Sequence, residues 1–232
     1  MIKPIFLAHR GSWHEKHIEN TIDAFDETLK KLSPKLHGFE CDFRQTDEED
    51  PKSWVIFHDE TMKRLSHDGN KIDPKIELKF NERTGTMPTL TYFTQWIRKI
   101  TKTIIINIEI KKGTESGVRE LVQQLNASNQ KKNVTFIFSS FDKMIMRHLE
   151  EENVKKAYLI RQKKDIQQFE LTQGSQAEFI GIAHKRANNE IYTEIQKLNL
   201  STGIYFKSKT EYITHIHEVM NTQNVSVIFI EN

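Results

Sequence analysis

The sequence predicts an α/β fold, a TIM-like (β/α)8 barrel with a small insertion after the strand that ends at His58 and Asp59. Short runs of β-forming residues alternate with stretches of helical periodicity, which favours a parallel sheet. About eight of these runs suit a core sheet, and eight strands close into a barrel. A chain of 232 residues is also long enough for one such barrel. We therefore expect a single domain over residues 1–232.

The predicted strands recur along the whole chain. They cover residues 5–8, 38–43, 54–57, 103–110, 134–138, 157–160, 179–182, 203–206 and 225–230. Most are separated by roughly 10 to 20 residues with the 3.6-residue period of an amphipathic helix. In the segment 20–32, for example, apolar side chains recur at positions 22, 25, 29 and 32. These repeated strand and helix units are typical of a barrel.

Residues 44–53 do not fit a regular strand and helix unit. The segment is polar, lacks apolar periodicity and contains Pro51, so it is a poor candidate for a covering helix. We expect a hairpin whose turn is centred near Glu49. Antiparallel pairing would then bring His58 opposite Glu40, so that the two side chains converge on one site.

Residues from about 60 to 87 form a second irregular segment, in which Gly69, Pro74 and Gly85 interrupt any regular element. A connection of this length between core strands is usually either functional or disordered. We treat it as the small insertion of the barrel.

The bulk composition limits the classes of partner. Hydrophobic residues make up 37% and charged residues 28% of the chain, as in a soluble globular protein. The 34 basic and 32 acidic side chains nearly cancel, so nucleic acid is not expected as a partner and phosphate must be recognised locally. Short lysine clusters are interpreted as solvated faces, with Lys111 as the exception.

Cys41 is the only cysteine, so an internal disulfide and a zinc site built of cysteines are excluded. The sequence shows neither a signal-peptide layout nor an apolar run of about 18 residues. We therefore expect a cytoplasmic protein without stable membrane insertion.

Polar motifs lie at or just after the predicted strands. In chain order they are His9-Arg10-Gly11, Glu19-Asn20-Thr21, Glu40-Cys41-Asp42, His58-Asp59, Met87-Pro88-Thr89-Leu90 and Asn107 to Lys111. In this order they resemble the motifs of the glycerophosphodiester phosphodiesterase family of the PLC-like phosphodiesterase superfamily. The resemblance is specific up to about residue 142 and weak after it. The resemblance implies a barrel that hydrolyses a small-molecule phosphodiester to glycerol 3-phosphate and an alcohol. It also implies that the insertion caps the barrel mouth.

Side chains alternate along a strand, so Glu40 and Asp42 point to one face. On the fourth predicted strand, Asn107, Glu109 and Lys111 likewise share a face. Burying several carboxylates together costs several kcal/mol per ion unless a cation compensates. Hard oxygen ligands suit magnesium or calcium.

The resemblance implies that one divalent cation, Mg²⁺ or Ca²⁺, is held by Glu40, Asp42 and Glu109. The alternative is a buried salt bridge of Glu109 with Lys111 or Arg10. That reading explains the carboxylates without a metal ion.

His9 and His58 are the candidates for proton transfer, because imidazole titrates near neutrality and can act as a base or an acid. Arg10 and Lys111 would offset phosphate charge. The resemblance implies an aromatic wall on the alcohol side, which Tyr205 would form, although an aromatic residue on a strand is more often part of the core. The resemblance further implies attack by a glycerol hydroxyl and a cyclic phosphate that water then opens.

Two alternatives share this site. One keeps the catalytic residues but acts on lysophospholipids or another phosphodiester, because the pocket walls decide the substrate. The other is a non-catalytic barrel that binds phosphoesters, since a fold does not guarantee turnover.

Overall fold

The computed structural model describes residues 3–11, 17–66, 72–80, 82–166, 177–206, 208–222 and 224–230. Its strands are β1 (Ile5–Ala8), β2 (Gly38–Gln45), β3 (Trp54–Ile56), β4 (Glu77–Phe80), β5 (Arg83–Thr86), β6 (Ile104–Lys112), β7 (Val134–Ser140), β8 (Lys156–Ile160), β9 (Ala177–Ala183), β10 (Ser201–Tyr205) and β11 (Val225–Ile230). Its helices are α1 (Ile22–Lys31), α2 (Leu90–Ile97), α3 (Glu115–Ser128), α4 (Lys143–Glu150), α5 (Asn189–Lys197) and α6 (Lys209–Asn221). Two short 3₁₀ turns cover Met62–Arg64 and His184–Arg186.

The main sheet closes on itself. Its order is β1, β11, β10, β9, β8, β7, β6, β2 and β3, and β1 also pairs with β2. All of these pairings are parallel except that of β2 with β3. The eight parallel strands form the predicted TIM-like barrel, which is thus confirmed.

The seam between β1 and β2 is short, with only Leu7 paired to Gly38 and Ala8 to Phe39. A Cβ atom at Gly38 would lie 1.7 Å from the Ile105 carbonyl oxygen of β6. Glycine is therefore required here for the close approach of the neighbouring strand.

Alternate residues of the barrel strands fill two separate cores. The inner core packs inside the barrel and is made of Leu7, Ile137, Ala157, Phe179, Val227 and Phe229. The larger core lies between the strands and the surrounding helices, where Phe25 of α1 stacks on Phe39 of β2 with ring centroids 4.3 Å apart. This alternation aims the polar residues of β2 and β6 into the barrel mouth.

The predicted hairpin is present, with Phe43 of β2 paired to Ile56 of β3 and Gln45 paired to Trp54. The predicted register was wrong by one residue, because continuing this pairing places His58 level with Cys41 and not with Glu40. At the loop, the Thr46 amide donates to the Ser53 carbonyl oxygen at 2.8 Å. The turn is therefore centred between Glu49 and Asp50, half a residue beyond the predicted centre at Glu49.

The insertion contains the antiparallel hairpin of β4 and β5. It has its own small core, which includes Val55, Phe57, Met62, Leu65 and Leu78. Residues 67–71 and 81, which belong to the predicted insertion, lie outside the described residues. In the part of the chain that is described, no helix is both long and apolar enough to cross a membrane.

Candidate active site

A cavity of about 700 Å³ opens at the carboxyl ends of the barrel strands. Seven of the predicted site residues line it, namely His9, Arg10, Glu40, His58, Glu109, Lys111 and Tyr205. The remaining one, Asp42, is fully buried beside them, with its carboxylate 3.0 Å from Lys111 Nζ. The structure therefore brings all the predicted residues together.

The loop after β1 turns sharply into the site. Arg10 and Gly11 both have positive φ angles, 58° and 82°, and a Cβ atom on Gly11 would come within 2.9 Å of the Phe25 ring. This backbone aims the Arg10 amide at Glu40, whose Oε2 accepts its hydrogen at 2.9 Å. Asn20, also at a positive φ of 58°, donates its side-chain amide to Asp42 Oδ2 at 2.7 Å.

Three buried carboxylates meet where β2 lies beside β6. Asp42 pairs with Glu109 across the two strands, and Glu40 lies on the same face as Asp42. One carboxylate oxygen from each of the three residues lies within 4.8 Å of the others. This spacing and these oxygen donors match what a hard divalent cation requires.

Cations already compensate part of this charge. Lys111 Nζ contacts Asp42 Oδ1 and also donates to Glu109 Oε1, so the ion pair considered as the alternative does exist. Arg10 Nε lies 3.5 Å from Asp42 Oδ2. Burial alone would raise the pKa of Asp42, but Lys111 and then Arg10 more than offset it and hold that pKa well below its usual range.

Glu40 is compensated least. Burial, and then the charges of Asp42 and Glu109, raise its pKa well above the usual value. Its Oε1 atom is buried and has no hydrogen-bond partner among the described residues. A buried polar atom without a partner requires an explanation. Three carboxylates facing two cations, with Glu40 Oε1 lacking a hydrogen-bond partner, fit a bound divalent cation.

The two predicted histidines face the same cavity from different strands. His9 follows β1, its amide donates to the Ile230 carbonyl oxygen at 2.9 Å, and its Nε2 lies 3.8 Å from Glu40 Oε2. His58 follows β3, and its Nδ1 is 2.7 Å from Asp59 Oδ1. Burial would raise the pKa of Asp59, but hydrogen bonds with His58 and Arg64 lower it to about 2. Asp59 is therefore an anion that orients the His58 ring.

An ion network at the cavity rim was not predicted from the sequence. Arg64 donates to Asp59 Oδ2 at 2.6 Å and to Glu19 Oε1 at 2.5 Å, and Arg10 donates to the same Glu19 oxygen at 2.8 Å. Glu19 belongs to a recognised motif, but Arg64 comes from the 3₁₀ turn of the insertion and was not a candidate site residue. The network ties the insertion to the loop after β1.

Another part of the cavity wall is aromatic. The rings of Phe141 and Tyr205 meet edge to face at 6.2 Å, and the guanidinium of Arg161 lies over the Phe141 ring at 4.4 Å. Burial and then Glu109 raise the pKa of Tyr205 to about 12, against the opposing charges of Lys111, Arg186 and Arg161. Of these basic groups only Lys111 was a candidate from the sequence.

Thr21 and His184 make contacts within the fold. Thr21 is the N-cap of α1 and accepts from the Ala24 amide, while the side-chain amide of Asn20 donates to Asp42 in the site. His184 lies 3.3 Å from Glu211 and its ring is 4.5 Å from that of His215. His14, Lys207 and Glu231 lie outside the described residues.

Comparison with known families gives one assignment. A family model described as "Glycerophosphoryl diester phosphodiesterase family" matches residues 9–218, which include every predicted site residue. Among curated protein sequences, none matches the chain.

Several solved structures share the fold. A phosphodiesterase from Oleispira antarctica, in complex with the product sn-glycerol-3-phosphate, aligns with a TM-score of 0.73 at 16% identity and covers 98% of this chain and 93% of that chain. A glycerophosphodiester phosphodiesterase from Parabacteroides distasonis gives 0.72 at 16% identity, covering 99% and 93%. One from Agrobacterium tumefaciens gives 0.69 at 18% identity, covering 98% and 96%. At these identities the likeness demonstrates a common fold.

Proposed function

Because the chain belongs to the glycerophosphoryl diester phosphodiesterase family, and so is a phosphoric diester hydrolase, we propose that it hydrolyses glycerophosphodiesters to glycerol 3-phosphate and an alcohol. The observation that carries the proposal is the convergence of two histidines, three carboxylates and two cations in one cavity. The substrate is a small molecule, for which a cavity of about 700 Å³ is sufficient.

We propose that Glu40, Asp42 and Glu109 hold one divalent cation, Mg²⁺ or Ca²⁺. The unsatisfied Glu40 Oε1 and the raised pKa of that carboxyl support this assignment. A bound divalent cation supplies Lewis-acid polarisation of the phosphoryl group. Arg10 and Lys111 keep the acidic cluster from repelling the substrate, and they offset the charge of the phosphodiester.

His9 and His58 are the proposed proton-transfer groups. One accepts the proton of the neighbouring glycerol hydroxyl as its oxygen attacks phosphorus, and the other donates a proton to the departing alkoxide. The cyclic phosphate is then opened by water, with the two roles exchanged. Asp59, hydrogen-bonded to His58, fixes the orientation of that ring during both steps.

We place the leaving alcohol against the wall of Phe141 and Tyr205, which lines the same cavity as Glu40 and Glu109. The whole chain, residues 1–232, is proposed to act as one barrel domain. Its location is proposed to be the cytoplasm, because Cys41 is the only cysteine and is a buried free thiol.

The direct test measures release of glycerol 3-phosphate from glycerophosphocholine and glycerophosphoethanolamine with Mg²⁺, Ca²⁺ or a chelator. We expect metal-dependent release, and loss of at least about 10³-fold in Glu109→Ala, because that variant removes a metal ligand and a partner of Lys111. Glu120→Ala on α3 is the matched control and should retain full activity. Undiminished turnover in Glu109→Ala would reject the assigned site. Absence of release from folded protein under every metal would reject the reaction.

A further inference from the structure

Three basic side chains surround the aromatic wall at the ends of successive barrel strands. Arg161 follows β8, Arg186 ends the 3₁₀ turn that follows β9, and Lys209 begins α6 after β10. Arg186 donates to the Arg161 carbonyl oxygen at 2.9 Å, and Lys209 lines the cavity. The charges of both arginines act on Tyr205. The three side chains therefore lie on one side of the mouth.

The next feature is the acidic surroundings of these three cations. In the described ranges, no carboxylate lies within 4 Å of a charged nitrogen of Arg161, Arg186 or Lys209. The carboxylate closest in sequence to Arg161, Asp165, accepts the backbone amides of Arg161 and Gln162 at 2.8 and 3.1 Å. By contrast, Arg64 on the facing rim is bound to both Glu19 and Asp59.

The aromatic wall is also already in contact with a cation. Arg161 lies over the Phe141 ring at 4.4 Å, the position that a quaternary ammonium group would need in order to bind that ring face. Lys111 approaches the same ring at 6.0 Å. A choline head group would have to displace Arg161 and would meet like charge.

We propose that Arg161, Arg186 and Lys209 form a subsite for the leaving alcohol that selects alcohols carrying an additional anionic group, such as a second phosphate, over alcohols with a quaternary ammonium. This inference rests on the proposed function and names its substrate class. The reacting phosphodiester has its own partners in Arg10 and Lys111, so the three further cations serve a charge elsewhere on the substrate. Guanidinium groups bind phosphate through paired hydrogen bonds.

The test uses two diesters that differ by one phosphate, glycerophosphoinositol and glycerophosphoinositol 4-phosphate, with glycerophosphocholine as the cationic case. We expect kcat/KM to be highest for the phosphorylated diester and lowest for glycerophosphocholine, with the difference mainly in KM. In Arg161→Gln the ratio of kcat/KM for the two inositol diesters should fall about fivefold at low salt, since a partly exposed charge pair contributes about 1 kcal/mol. Uncovering Phe141 should raise kcat/KM for glycerophosphocholine relative to glycerophosphoinositol.

Arg98→Gln is the matched control, because it removes the same charge from an exposed residue after α2, at the amino ends of the strands. It should leave all three kcat/KM values within about twofold. Equal kcat/KM for the two inositol diesters, or a preference for glycerophosphocholine, overturns the subsite.

If no diester is cleaved, the proposed reaction fails while the subsite is still tested by binding. Calorimetry with inositol 1,4-bisphosphate and chelator-treated protein should then show binding that weakens several-fold in Arg161→Gln and not in Arg98→Gln. Equal affinity in the two variants rejects the subsite.

Discussion

The two sides of the cavity differ in how their charges are arranged. On the side of β1, β2 and β6, acids and bases are interlocked, as in the contacts of Lys111 with Asp42 and of Arg64 with Glu19. On the side of β7, β8, β9 and β10, aromatic rings lie beside cations such as Arg161 that lack a carboxylate within 4 Å in the described residues. The first arrangement would hold the proposed reacting groups in place, and the second would leave its cations available to the proposed ligand. We therefore expect substitutions on the first side to change turnover, and those on the second side to change substrate choice.

The largest effect should come from the histidines of the interlocked side. His9→Ala and His58→Ala should each lower kcat by about 10²- to 10⁴-fold, because each removes a proposed proton-transfer group. The measurement is steady-state release of glycerol 3-phosphate at saturating substrate. His217→Ala, at an exposed position of α6, is the control and should match the unaltered protein. Retained kcat in either active-site variant would remove the functional distinction between the two sides.

A smaller effect, and a different one, is expected from the aromatic side. Tyr205→Leu should raise KM by roughly three- to tenfold with little change in kcat, because an aromatic contact contributes about 0.5–1.5 kcal/mol beyond its area. The control is Tyr92→Leu, since the Tyr92 side chain is 51% exposed on α2. A fall in kcat at unchanged KM would instead place Tyr205 among the reacting groups.

The smallest expected effect is on stability. The pKa of Asp59 is lowered to about 2 in the folded protein, against about 3.9 for a free aspartate, so its ion pairs stabilise the fold above about pH 4 and lose this contribution as pH falls toward 2. Asp59→Asn should therefore lower the free energy of unfolding at pH 7 by up to about 1 kcal/mol, a small value because the group is half-exposed. Urea unfolding at pH 7, 5 and 3 measures this difference, which should be equal at pH 7 and 5 and smaller at pH 3. A difference as large at pH 3 as at pH 7 contradicts the assignment.

The interlocked side was predictable from the sequence because its residues lie on strands. Side chains alternate along a strand with a period of two residues, which predicts that Glu40 and Asp42 share one face. The apolar runs predict the first and last residues of β2 and β6 to within two residues. The position of His58 was less predictable, since its register depends on a loop that closes between Thr46 and Ser53. An error of one residue there shifts the pairing of the whole hairpin.

The aromatic side was less predictable because its charged side chains, such as Arg161 and Lys209, lie in loops or at the start of a helix. Nothing in the sequence around Arg161 or Lys209 indicates that they meet at one mouth, and their proximity follows only from closure of the barrel. Arg64 is a similar case, since its partner Glu19 lies 45 residues away in the sequence. Side chains on connections of this kind are brought together by tertiary structure without a periodic signal.

The backbone pairing between β1 and β2 is short. Side-chain contacts of the proposed active site therefore also help to keep the barrel closed. Beyond Ala8 and Phe39 the two strands are joined through side chains, because Glu40 accepts the Arg10 amide and Asp42 is bound by Asn20. Loss of Glu40 would therefore loosen the closure of the sheet as well as the chemistry, and backbone amides along this seam would exchange with solvent sooner. Glu109 lies on β6, which pairs with both β2 and β7. Loss of Glu109 should therefore affect the reaction without loosening the closure of the barrel. Loss of activity in a Glu109 variant would therefore be due to the reaction alone. In a Glu40 variant it would reflect both the reaction and the weakened contact between β1 and β2.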